Sequence, residues 1–141
     1  MKVLSTWDHG LPANDAAVAV LRRGGGAMDA VVEGGRVTEI ANGQRSVGLG
    51  GLPDRDGIVT LDAAVMGDDA RAGSVACVRG VAHPVQLARQ VMDRTPHVML
   101  VGEGAQRFAR EQASRCASVP STTSSARSGR PGPGSAATSR W

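Results

Sequence analysis

The chain has 141 residues, enough for one modest domain with its own core, and its single Phe, two Trp and lack of Tyr oblige aliphatic side chains to fill that core. The formal charge of +3 is uneven: residues 1–112 carry 12 basic and 13 acidic side chains, whereas residues 113–141 add four arginines and no acid. That distribution excludes a general basic face for nucleic acid. No apolar run approaches a membrane span or a signal-peptide core, so the chain reads as soluble and cytoplasmic.

In chain order, Lys2–Thr6 carries a short strand pattern, and Trp7-Asp8-His9-Gly10-Leu11-Pro12 reads as a loop marked by Gly and Pro. Asn14 or Asp15 is placed to cap a helix running to Arg23, with Ala17, Val20 and Leu21 on one face. Gly24-Gly25-Gly26 ends it, and a second helix presents Met28, Val31, Val32 and Gly35 to one side. Two helices joined by so short a glycine link form a helical hairpin that lies on something flat. Ser46 to Pro53 is glycine-rich, and Asp54-Arg55-Asp56-Gly57 signals a β-hairpin turn.

Ile58 to Met66 then reads as a strand with Val59, Leu61, Ala63 and Val65 on one face, Asp68-Asp69 as a turn, and Gly73 to Val78 as a second strand. Pro84 opens a helix to Arg94 with Val85, Ala88 and Met92 facing inward, and Thr95-Pro96 stops it. His97 to Val101 is expected as a short buried strand, followed by a helix holding Ala105, Phe108 and Ala109. From Ala113 the composition turns to Ser, Thr, Ala, Arg, Gly and Pro without periodicity. Such a segment cannot bury enough apolar surface to offset its ordering entropy, and disorder is expected there. The chain thus divides into a domain, 1–112, and a Ser/Arg/Pro/Gly-rich tail, 113–141, whose abrupt start is that of an out-of-frame terminus.

Six segments, in order and in register over residues 2–112, resemble the glycosylasparaginase family of N-terminal-nucleophile hydrolases. They are Leu4-Ser5-Thr6-Trp7 with Gly10, Gly25 to Val31, Ser46 to Asp54 with Gly57 and Val59 to Ala63, Gly73 to Cys77, Ala88 to Met92, and Thr95 to Ala105. The resemblance implies an α+β fold, part of an αββα sandwich of two stacked sheets covered by helices. It also implies a precursor that cuts itself between Asp and Thr, so that the new terminal Thr hydrolyses the amide of N4-(β-N-acetylglucosaminyl)-L-asparagine or related β-aspartyl amides. A threonine hydroxyl is a weak nucleophile that needs an adjacent base, and an α-amino group with a pKa of about 8 suits that task.

The seven threonines, Thr6, Thr38, Thr60, Thr95, Thr122, Thr123 and Thr138, include none that follows an Asp, so the expectation is a fragment inactive alone and lacking the second-subunit half. By resemblance Trp7 borders the substrate pocket and Ser46 orients the nucleophile; the bland readings are a loop anchor and a turn serine. His9 stands where relatives often carry Phe.

Other motifs carry less. Gly48, Gly50 and Gly51 lack the Lys-Ser/Thr ending of a phosphate loop, and Asp54 and Asp56 lack the remaining ligands of a calcium loop. His9, His83 and His97 have no zinc spacing, so no metal or cofactor is expected. Cys77 is expected as a small buried residue and Asp62 as buried and hydrogen-bonded, while Cys77 and Cys116 read as free thiols. The rival reading is a non-catalytic module that pairs with another chain, because a half sandwich exposes a sheet face and strand edges. A weak nucleic-acid contact through the tail arginines is a third, generic attraction.

Overall fold

The computed structural model describes residues 2–7, 10–41 and 43–112; the expectations on His9, Cys116 and the tail lie outside them. Two antiparallel helices come first, α1 (Gly10–Arg22) and α2 (Ala27–Glu39). The first starts earlier than Asn14. Gly10 N–H bonds to the Trp7 carbonyl at 2.9 Å, and Pro12 falls in the opening turn, where a missing N–H costs nothing. Its end is a Schellman cap: Gly24, at φ 84°, bonds to Leu21 O, and Gly25 N–H to Val20 O. Asp29, in the first turn of α2, accepts from Gly26 N–H and complements the helix dipole.

The helices meet through small residues. Ala17 and Ala30 are each 2% exposed, and Gly34 lies against the Ala13 carbonyl. The expected inward face of α2 is therefore rotated. Met28 and Val32 still pack on the core and Gly35 lies against Val85, but Val31 is exposed, because the close crossing claims Ala30 and Gly34 for α1.

After the 3-10 turn Gly48–Gly50 come β1 (Leu61–Met66) and β2 (Ala72–Val78), paired antiparallel, then α3 (Pro84–Arg94), β3 (Met99–Val101) parallel to β2, and α4 (Gly102–Glu111). The sheet order is β1-β2-β3. The turn at Asp54 forms, with its carboxylate Oδ1 accepting the Asp56 and Ile58 N–H groups at 2.9 Å each, but no ladder follows it, and β1 starts at Leu61 instead of Ile58. Side-chain capping closes that turn locally, so no strand pairing is needed to satisfy it.

Leu61, Val65, Val75 and Val78 alternate toward α3, whose Leu87, Ala88 and Val91 are fully buried. Ala105 and Ala109 of α4 complete the core. One sheet face is thus covered. The opposite face carries Ala64, Met66, Ala72, Ser74, Ala76, Met99 and Val101, and Met66, Met99 and Val101 are each more than half exposed. The 97–101 strand expected to be buried is consequently an edge, from which only Leu100 packs on the core. The extended segment at Lys2–Ser5 is not part of a strand, and its Leu4 is exposed, because it meets no ladder partner among the described residues.

Candidate functional site

A groove of about 400 Å³ opens between the N-terminal segment, the helical hairpin and β1. Trp7, Thr38 and Glu39 of α2, and Asp62 to Ala64 of β1 are among the residues that line it. Trp7 reaches it because Gly10 admits the chain closely: a Cβ on Gly10 would collide with the Ser5 side chain. The Trp7 side chain is largely exposed.

Ser46 is exposed and does not line the groove, but its neighbour Val47 does. The glycines after it make a tight turn, Gly51 N–H bonding to Gly48 O. Gly48 has φ 66°, and a Cβ there would overlap the Glu39 carbonyl, so only glycine lets this turn lie on the end of α2.

Asp62 is exposed, not buried, although the expected hydrogen bond is present: Cys77 N–H donates to its Oδ1 at 2.7 Å. The cause is a β-bulge. Leu61 pairs with Val78 but Ala63 with Val75, which sets Asp62 opposite two residues. The same bulge holds Cys77 at φ 54° and turns it to the surface, correcting its expected burial.

The structure also brings together two residues the sequence left unmarked as a pair. Glu39 and His83 are buried, with Glu39 Oε2 3.3 Å from His83 Nδ1 and Oε1 accepting the Val85 N–H at 2.8 Å. Burial pushes the Glu39 carboxyl up to about 7, against the lowering effects of the Val85 hydrogen bond and the Arg36 charge. Burial, with Arg36 nearby, pushes His83 down. Nothing in a helix-terminal Glu or a histidine before a proline distinguishes them in sequence; the docking of α2 on the start of α3 buries them.

Among the described residues no group of three or more His, Cys, Asp or Glu side chains is arranged to hold a metal, and no helix is long and apolar enough to cross a membrane. The groove is lined by one aromatic residue, Trp7, and by the acidic residues Glu39 and Asp62 among small and aliphatic ones.

Comparison with known proteins adds a second line. A family model described as Asparaginase matches residues 11–129. The chain is 56% identical over 110 residues to the N(4)-(Beta-N-acetylglucosaminyl)-L-asparaginase of Elizabethkingia miricola, covering 78% of this chain and 32% of that relative. It is 46% identical over 92 residues to an Isoaspartyl peptidase/L-asparaginase of Rattus norvegicus, covering 64% and 27%. An Isoaspartyl peptidase of Salmonella typhimurium is 48% identical over 94 residues, covering 66% and 30%. The chain spans about a third of the length of these curated relatives.

Proposed function

Because this chain belongs to the asparaginase family, we propose that it supplies the substrate-flanking part of an amidohydrolase acting on N4-(β-N-acetylglucosaminyl)-L-asparagine or a related β-aspartyl amide. The observation that carries this reading is the groove walled by Trp7. A glycosylated asparagine has a sugar face for an indole to stack on and an α-amino and α-carboxylate pair for polar groups to orient. In this reading Trp7 flanks the substrate, and Ser46, carried on the turn beside Val47, orients a threonine nucleophile contributed by residues outside this sequence.

The chemistry such a partner would supply is acyl transfer to a terminal threonine whose own amine takes the proton, with the amide's amine or glycosylamine leaving. This chain's share is to hold the amide in line with that hydroxyl, and orientation of this kind accounts for a large part of an enzyme's rate enhancement. The uncovered sheet face supports the expected partner half: Met66, Met99 and Val101 present an apolar surface of the kind a second sheet covers.

Co-expression with the part of the Elizabethkingia relative that this chain does not span tests the reading. Aspartate release from glycosylasparagine by the assembled pair, none by this chain alone, and at least a tenfold loss of kcat/KM with Trp7→Ala are expected. An assembled pair that is inactive on both glycosylasparagine and β-aspartyl peptides would overturn it. The same open face favours one alternative, a non-catalytic module that pairs with another chain; a soluble, well-defined complex with no hydrolysis would support that instead.

A further inference from the structure

Two ionisable side chains lie buried beside the groove without a role in the reading above. Glu39 closes α2, His83 precedes α3, and they are 5% and 7% exposed. Val85 is the second residue of α3, so the Glu39 carboxyl caps a helix begun 45 residues later, a service the His83 side chain does not provide. The same residue faces the other way through its main chain, where Gly48 lies directly on it. Glu39 also lines the groove, together with Thr38, Val47 and Trp7. One residue therefore touches α3, the turn that follows Ser46, and the groove.

We propose that Glu39 is a positioning residue of this groove: its carboxyl ties the end of α2 to the start of α3 and thereby fixes the Ser46–Gly51 segment relative to Trp7. The inference rests on the amidohydrolase reading only in calling the groove a substrate site. The His83 side of the tie changes with a proton, while Oε1 accepts from Val85 N–H in either state. A protonated Glu39 can donate to His83 Nδ1, while an ionised one can only accept, from Val85 N–H and from a His83 that carries its proton on Nδ1. Desolvation brings that change to about pH 7. The other charged groups around it are Arg36 and Glu33 on α2 and His83 before α3, with Asp62 facing the groove from β1.

The test needs no substrate, so its failure is separable from failure of the enzymatic reading. The full chain carrying Trp141→Phe has one indole N–H signal, that of Trp7. Its ¹⁵N–¹H spectrum is followed from pH 5 to 9 together with the Val85 and Ser46 amides. The three signals are expected to shift with one midpoint near 7, and Glu39→Gln, which keeps the shape and loses the proton, is expected to abolish the shifts of Val85 and Ser46 and reduce that of Trp7. A Val85 shift without Ser46 and Trp7 would make Glu39 a local cap only and overturn the proposal. So would Trp7 and Ser46 shifts undiminished in the Gln variant. If that variant does not fold, the wild-type titration decides, since three different midpoints refute a common tie.

Discussion

At the scale of single residues, burial moves the pKa values of Glu39 and His83 in opposite directions. Glu39 has a folded pKa raised from 4.5 to about 7, chiefly by desolvation. A raised folded pKa means that the folded state holds the proton more tightly than the unfolded chain. The stability this contributes is fully present below about pH 4.5 and is lost as pH rises through about 7. Urea unfolding at pH 5 and pH 8 should show the wild type losing stability relative to Glu39→Gln by on the order of 2 kcal/mol between those conditions. His83 acts in the opposite sense: its lowered pKa removes stability as pH falls below its ordinary value of 6.5. Gly48→Ala adds a Cβ at positive φ directly against the Glu39 carbonyl, and a loss of more than ~2 kcal/mol is expected by the same measurement.

Among elements, α3 holds the fold together. It packs on β1, β2 and β3 and receives α2 at its start, and its Leu87 is fully buried among Val65, Val75 and Val78. Leu87→Ala should cost about 2–5 kcal/mol, the transfer term plus the cavity left behind, read as a lowered denaturation midpoint. Val31→Ala on the exposed side of α2 should stay within about 0.5 kcal/mol, which separates the observed face of that helix from the one its periodicity suggested. The hairpin itself tolerates little at Ala17, Ala30 and Gly34, where the two backbones approach closely.

On the scale of the whole molecule, the described residues cover the sheet on one side only. Met66 on β1 and Met99 and Val101 on β3 flank one open face, with Met66 68%, Met99 54% and Val101 52% exposed. Exposed apolar side chains on one sheet face favour association, and β3 is an edge strand among the described residues. Sedimentation of the chain over a concentration series should show self-association that is reduced when Met66, Met99 and Val101 are replaced by Ser, while the cooperativity of unfolding persists because none of the three contributes to the core. Unchanged association would shift the contact to another surface.

Much of this was determined by sequence alone, for local reasons. The two helices and their glycine link, the β1–β2 pairing and the α3 boundaries follow from periodicity and from Gly and Pro chemistry, signals read within a few residues. The asparaginase resemblance rests likewise on local segments in register, and the family it named is the one whose model matches the chain. What only the tertiary structure decided are the features that depend on distant neighbours. Val31 turned outward because Ala30 and Gly34 fit against α1. The bulge opposite Asp62 exposed Cys77, and the 97–101 strand is an edge because among the described residues it pairs with β2 alone. Glu39 and His83 met across 44 positions because α2 docks on the start of α3. Periodicity reports which face of an element is apolar, but burial of a particular polar side chain is settled by what packs against it, and that is a property of the assembled chain.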